Sequence, residues 1–327
     1  MNPNLDLGTP LGGKAAPDFT LTNQFGQTMS LSKFRGRVVL LGFEDSECTT
    51  VCPLTTESMV LAKELLGSAG TNVQLLGIDA NPDATAVSDV LAYSKAHGMV
   101  NQWDFLTGSA TQLKKTWKAY GIDVEIEQGQ IDHTPALYLI NSRGVLVKVY
   151  LTQMAYDSVG QQAQVLAQEI STLLPGHPKL KSTESLATIT AESPAIAQTL
   201  PSASGSGTVA LGPGKARMVV FFASWLSETS ALKSQLTALN AYAKQSGLPS
   251  LVGVDETVTE PSPDAISPYL PGLAYPVALD KTGRVADGYG VQDQPWFTLV
   301  NAKGKVVWSH DGWTTLSVLK SAVKKAA

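Results

Sequence analysis

The sequence runs to 327 residues with 24 Lys and Arg against 28 Asp and Glu, a formal net charge of −4, 43% hydrophobic residues and two cysteines. That length fits about two domains of ~150 residues, and the apolar content is enough for packed cores. Dispersed basic residues exclude a nucleic-acid stripe or a polybasic membrane patch, and no apolar run approaches the ~20 residues that span a bilayer. The opening MNPNLDLGTPLGGKAAP has neither the basic nor the apolar segment of a signal peptide. The expectation is a cytoplasmic protein or one whose targeting segment has been cut away.

Residues 18–34, DFTLTNQFGQTMSLSKF, set Phe19, Leu21, Met29, Leu31 and Phe34 around an Asn-Gln-Phe-Gly turn, which predicts a hairpin. The unbroken apolar run Val38 to Phe43 predicts a strand buried on both faces. It leads into a polar turn and then to Cys48, Cys52 and Pro53 at the mouth of a helical pattern. Four-residue spacing there brings two sulfurs close, and a helix N-terminus favours thiolate over thiol. The neighbours Glu44, Asp45, Ser46, Glu47, Thr49 and Thr50 predict a solvent-accessible pair. Cysteine as a small buried hydrophobe is the structural alternative. A disulfide closing so short a loop would stabilise little, so the pair reads as chemistry rather than as a staple.

A helix is expected over Leu54 to Ser68, closed by Gly70, then a buried strand over 72–79. A second helix from Ala84 to His97 stops before Gly98, making His97 a C-terminal cation or cap neighbour. A third, Ser109 to Tyr120, has Leu113 and Trp117 on one face. Strands Ala136 to Ile140 and Val145 to Leu151 flank the tight turn Asn-Ser-Arg-Gly, and a helix from Asp157 to Leu174 follows. Strands alternating with helices before a final hairpin specify an α/β sheet of mixed direction.

Residues 176–207, rich in Ser, Ala, Thr, Pro and Gly, read as a linker between a domain of residues 1–175 and one of residues 208–327. Within the linker, ATIT and AIAQTL have the pattern of a strand or short helix. The second half repeats the first. RMVVFFASW (217–225) matches RVVLLGFED (37–45), and VQDQPWFTLVNAKGKVV (291–307) aligns without a gap on IDHTPALYLINSRGVLV (131–147).

On these motifs residues 17–174 resemble the thioredoxin superfamily, in the redoxin branch that holds the Sco/SenC copper chaperones and lies near the peroxiredoxins. FEDSECTTVCP is similar to the Sco motif of two cysteines with three residues between and a proline after. IDHTPALYLINSRG resembles the Sco segment whose Asp-His precedes a strand and hairpin. The resemblance implies two tandem thioredoxin-like α/β domains, each a mixed central sheet flanked by helices. It implies Cys48, Cys52 and His133 as copper ligands, and Asp79 on an acidic position of the family. Two departures stand out. Thr49 replaces the family's usual proline, and Thr134-Pro135 is the thioredoxin pattern instead, implying a cis proline packed against the cysteines with His133 beside the sulfurs. Two thiolates and an imidazole suit Cu(I), and the same pair can cycle between dithiol and disulfide.

The function implied is that of an extracytoplasmic redox protein, copper-delivering or disulfide-exchanging, whose clients are an oxidase copper subunit or a disulfide-containing protein. If it is an enzyme, it is a thiol-disulfide oxidoreductase. One alternative is a peroxiredoxin-like peroxidase with Cys52 as the peroxidatic cysteine. Thr49 to Cys52 supplies its Thr-x-x-Cys element, but Asp45 stands where a proline is expected and no arginine occupies His133 or Thr134. A non-catalytic scaffold is the other alternative. The second domain resembles a TlpA-type thioredoxin domain in which Leu226 and Thr229 hold the cysteine positions. Asp293 takes the place of His133, and Pro295 keeps the cis-proline position. It reads as a redox-dead copy whose Trp225 and Trp296 are candidates for a recognition face. Sco and TlpA relatives are usually anchored outside the cytoplasmic membrane. The expected location is therefore periplasmic or outward-facing on a membrane, with the signal or anchor missing from the present sequence.

Overall fold

A computed structural model describes residues 5–49, 51–127, 130–151, 159–183 and 185–326. Those residues fall into two compact units, one of 6–151 with 162–183, the other of 185–326 with 159–161 and Leu5. Among them no helix is long and apolar enough to cross a membrane.

The first unit is built on an eight-stranded sheet. Its strands are β1 (Thr9–Pro10), β2 (Thr20–Asn23), β3 (Thr28–Ser30), β4 (Val38–Glu44), β5 (Val73–Asp79), β6 (Asp104–Thr107), β9 (Ala136–Ile140) and β10 (Leu146–Leu151). They lie in the order β1-β10-β9-β4-β5-β6-β2-β3, with β4, β5 and β6 parallel and the remaining pairs antiparallel. All seven residues of β4 are buried, as its unbroken apolar run requires of a central strand. Val39, Leu41 and Phe43 turn to one face, where they join Leu113, Trp117 and Tyr120 in a single core cluster. The helices are α1 (Val51–Leu65), α2 (Val87–Ala96), α3 (Ala110–Tyr120) and α4 (Val159–Leu173), of which this unit holds α4 from Gln162 on. The expected helix start at Asp157 lies outside the described residues.

Elements not expected from the sequence include β1 and β6, the latter the third strand of the parallel run β4-β5-β6. Another is a two-stranded ladder of its own, β7 (Val124–Glu127) with β8 (Gln130–His133), in which Val124 faces His133 and Glu125 faces Asp132. The helix after the cysteine turn also begins earlier than expected, at Val51. Cys52 therefore sits inside its first turn, and Pro53 follows where a helical N–H has no acceptor to lose.

The second unit has a five-stranded sheet in the order β15-β14-β13-β16-β17. Its strands are β13 (Arg217–Phe222), β14 (Ser250–Asp255), β15 (Val277–Leu279), β16 (Trp296–Val300) and β17 (Val306–Asp311). The first three are parallel, and β16 and β17 run antiparallel. Alternate residues of β13 feed two cores, Met218, Val220 and Phe222 on one face, Val219 and Phe221 on the other. Helices α5 (Leu232–Ala238), α6 (Asn240–Ala243), α7 (Arg284–Tyr289) and α8 (Leu316–Ala326) complete it. Part of the segment read as a linker is folded here: β11 (Gln198–Pro201) pairs antiparallel with β12 (Thr208–Leu211). Its apolar residue Leu200 is buried, which explains why AIAQTL carries a strand pattern.

Candidate metal and thiol site

Strand β4 delivers the chain to the C-terminal end of the sheet, and the turn after it places both cysteines. Cys48 is half-buried and Cys52 is 2% exposed; the two are not joined in a disulfide. The Cys48 N–H bonds the Asp45 carbonyl at 3.1 Å, closing the turn. Its sulfur then accepts the Cys52 N–H at 3.5 Å, satisfying one donor that a helix start leaves without a partner. The Asp45 N–H points in turn at the Cys52 sulfur, 3.4 Å away.

His133 arrives from the end of β8. Its Nε2 lies 3.6 Å from the Cys52 sulfur, and its Nδ1 is 3.2 Å from the Thr134 carbonyl. A carbonyl only accepts, so Nδ1 carries the proton and Nε2 turns a lone pair to the sulfur. Thr134 is anchored in its own right. Its N–H bonds the Asp123 carbonyl at 3.0 Å and its hydroxyl accepts the Asp123 N–H at 3.2 Å. The Thr134-Pro135 bond is trans, contrary to expectation, while Gln294-Pro295 is cis. A tight turn, with the Ala136 N–H on the Thr134 carbonyl at 2.8 Å, carries the chain through Pro135 into β9.

The electrostatics correct the expected accessible thiolate. Glu44, Asp45 and Ser46 are buried, and among the described residues of this turn Glu47 alone is exposed. The Cys52 thiol is pushed well above its ordinary range, first by its hydrogen bond with Cys48, then by burial and by the charges of Cys48 and Glu44. These outweigh the Asp45 N–H and the favourable helix end. Burial likewise lifts the Glu44 carboxyl well above the usual carboxylate range, offset in part by its hydrogen bond with Cys52. Glu44 has room because its neighbour is Gly42, where a Cβ would lie 2.6 Å from Oε1. That oxygen has no hydrogen-bond partner among the described residues.

Asp79 ends β5 in register with Glu44 and is fully buried. Burial lifts its carboxyl to about 8, against the Asn81 N–H bond to Oδ1 at 3.1 Å. It supports the site from below: its carbonyl takes the Trp117 indole N–H at 2.9 Å. Sequence reasoning missed Glu44 and Asn81. Glu44 looked like surface, although its position directly after the buried run was a signal. Asn81 donates to Asp45 Oδ1 at 2.8 Å and to Glu47 Oε2 at 3.2 Å, tying the cysteine turn to the loop after β5. His97, expected as a C-terminal cation or cap neighbour, is the C-cap of α2; burial pushes its imidazole down to about 4, against the cation role, and the ring packs on Tyr93 at 4.4 Å between ring centres.

The structure thus gathers Cys48, Cys52 and His133 into one hydrogen-bonded set. Among the described residues no three His, Cys, Asp or Glu side chains stand as they would around a metal ion. The three groups are bonded to one another through protons instead. Their chemistry fits a soft cation: two sulfurs and an imidazole nitrogen whose lone pair is aimed at one of them, each available to a metal once the thiol protons leave. At the corresponding place in the second unit, Leu226 is buried in the core and Thr229 is exposed, its hydroxyl on the Leu226 carbonyl at 3.4 Å. Asp293 is exposed, with Oδ1 on the Gln294 N–H at 2.7 Å. Neither Leu226 nor Thr229 can supply a thiolate.

Comparison with known proteins gives a match of residues 9–170 to the family described as SCO1/SenC. The SCO1 protein homolog of Bacillus subtilis is 27% identical over 157 residues, 46% of this chain and 81% of that protein. The match spans only about half the length of the mitochondrial SCO2 homologues it also resembles. Peroxiredoxin Q of rice chloroplasts is 26% identical over 155 residues, 47% of this chain and 65% of that protein. Among solved structures, Arabidopsis thaliana ScoI with copper bound is similar at 21% identity and a TM-score of 0.43, over 48% of this chain and 99% of that one.

Proposed function

Because residues 9–170 belong to the SCO1/SenC family, we propose that this domain takes up a copper ion as cargo through Cys48, Cys52 and His133. It hands the ion to a client protein outside the cytoplasmic membrane, with an oxidase copper subunit as the client class. The observation that carries this reading is the 3.6 Å approach of His133 Nε2 to the Cys52 sulfur, with the other ring nitrogen held on Thr134. Loss of the two thiol protons frees three soft lone pairs in one place, which is why uptake of Cu(I) should rise with pH. The same sulfurs support exchange with a client disulfide. The Cys48 thiolate attacks one client sulfur and the other leaves and takes a proton; the Cys52 thiolate then attacks the Cys48 sulfur of that mixed disulfide, and the second client sulfur leaves and is protonated in turn, so the pair ends oxidised and the client reduced.

Titration of the reduced chain with Cu(I) against a chromophoric chelator tests the reading. One equivalent should bind, serine at Cys48 or Cys52 should abolish tight binding, and His133→Ala should weaken it. Equal uptake by the double-serine variant rules the copper site out.

The likeness to peroxiredoxin Q keeps a peroxidase as the second reading. Peroxide attack needs an exposed thiolate, and Cys52 is buried beside Glu44 with its thiol pushed up. Peroxide consumption with a thiol reductant separates the two. The second domain, read as residues 208–327, has no thiol chemistry and acts as a binding module for the client or for the first domain, as a fold without its catalytic residues can.

A further inference from the structure

Helix α3 of the first unit, ATQLKKTWKAY, holds three lysines and no acid. Lys114 and Lys118 stand one turn apart on one side of it, and both are exposed. Neither makes an ion pair or a hydrogen bond among the described residues. Like charges at that spacing weaken a helix. The helix C-terminus favours a cation in its last turn and so accounts for Lys118, but Lys114 lies a turn further in.

The chain leaves the helix through Gly121, whose φ of 70° is left-handed, and the Ile122 N–H then bonds the Trp117 carbonyl at 2.9 Å. Between the helix and the segment so turned lies an open groove of about 390 Å³, lined by Lys114, Trp117, Lys118, Ile122, Asp123 and Val124. Trp117 and Ile122 are buried in the core and Val124 packs against it, so the floor is apolar. The charged groups around that floor are two ammonium groups against the single carboxylate of Asp123. One wall is the foot of the ladder that carries His133. Asp123 bonds Thr134 through both its carbonyl and its N–H, and Val124 stands opposite His133.

We propose that this groove docks an acidic segment of the client protein, its carboxylates meeting Lys114 and Lys118 and an apolar side chain between them seated on Trp117 and Ile122. The proposal rests on the reading that the domain serves a client, and it names the chemistry by which that client is recognised. The whole chain carries a formal charge of −4, so an acidic segment is repelled at long range and held only where cations are gathered. Two lysines without partners are such a place, and an incoming carboxylate also removes their mutual repulsion. A client seated there lies beside the ladder that presents His133.

Fluorescence anisotropy of the reduced, metal-free full chain tests this, with a fluorescein-labelled peptide of Glu-Glu-Leu repeats as the probe and its Gln-Gln-Leu counterpart as the control. The acidic peptide should bind, and raising sodium chloride from about 0.02 M to about 0.5 M should weaken it by about tenfold or more. Lys114→Glu and Lys118→Glu should each weaken it by about tenfold. Lys115→Glu makes the same charge change on the same helix but at a different cavity, and should alter binding by less than about twofold. No binding at low salt, equal binding of the glutamine peptide, or equal losses in all three variants overturns the proposal. So does a dimer of the chain, seen by sedimentation without peptide, that Lys118→Glu dissociates, since the groove then belongs to a second copy. Should a charge reversal unfold the helix, Lys118→Gln serves in its place with a loss of about threefold, and no loss in it is equally fatal. Because the assay holds no copper, its failure leaves the Cu(I) titration to stand or fall by itself, and Lys118→Glu should still take up one equivalent.

Discussion

Asn81 donates its side-chain amide to Asp45 Oδ1 across the gap between the loops that follow β4 and β5. Asp45 is the hub of the cysteine turn, since its N–H reaches the Cys52 sulfur and its carbonyl takes the Cys48 N–H. Asn81→Ala removes the bond and leaves a buried carboxylate oxygen short of a donor. We expect a loss of about 1–2 kcal/mol in denaturant unfolding, with the thiol pair about tenfold harder to close to a disulfide in glutathione buffers. A control, Gln24→Ala, breaks buried bonds to Trp103 and Phe105 elsewhere in the unit and should lower stability without moving the thiol equilibrium. If both variants shift that equilibrium alike, Asn81 has no special hold on the turn.

Glu44 sits against the Cys52 thiol and its charge opposes thiolate formation. Glu44→Gln keeps the shape and removes the charge. Alkylation of the reduced protein by iodoacetamide at about pH 8 should then be several-fold faster than in wild type. An unchanged or slower rate would mean that burial alone governs the thiol.

Asp79 keeps its proton up to about 8 in the folded chain, against an ordinary value of about 3.9. The folded state therefore holds more protons than the unfolded one in that window, and this residue's contribution to stability falls as pH rises from about 4 to about 8. Asp79→Asn can still accept the Asn81 N–H and can donate to the Thr107 hydroxyl, so it should flatten the dependence. Thermal melts should show it more stable than wild type at about pH 8, by on the order of a few kcal/mol, and little different at about pH 4. Parallel curves for the two proteins would contradict this.

Gly77 lies in β5 opposite Gly42, and a Cβ there would meet Trp103 at 2.8 Å and Phe105 at 2.9 Å. Both rings are packed in the core. Gly77→Ala should cost about 1–3 kcal/mol by overpacking, measurable as a lower urea midpoint at unchanged slope. A neutral result would show that the rings can give way.

The central strand was legible because an apolar run with no polar break has only one home in such a sheet, between two neighbours and two faces. The repeat was legible for the same reason, since RMVVFFASW and RVVLLGFED carry the same run. The β7–β8 ladder was not. Its acids at Glu125, Glu127 and Asp132 alternate with Val124, Ile126 and Ile131 in a pattern of period two, yet Ile126 is 53% exposed and the ladder buries too little to announce itself. At the site, residue identity pointed to Cys48, Cys52 and His133, but not to the state of the sulfurs. Polar neighbours in sequence suggested water around the pair; in space, Glu44 and Asp45 turn inward and share its burial. Pro135 misled differently, because Thr-Pro specifies a turn but not the isomer that the surrounding loop selects.

The ladder that carries His133 is separate from the eight-stranded sheet that positions the cysteines. Two donors are thus fixed to the body of the domain and the third rides on a two-stranded arm, fastened near its base by Thr134 to Asp123. Two-stranded ladders are marginal by themselves and open at far lower free energy than a buried sheet. On the proposed copper reading, the histidine would therefore be the ligand free to swing away while the two sulfurs stay with the sheet, and a client's own donor would enter on that side first.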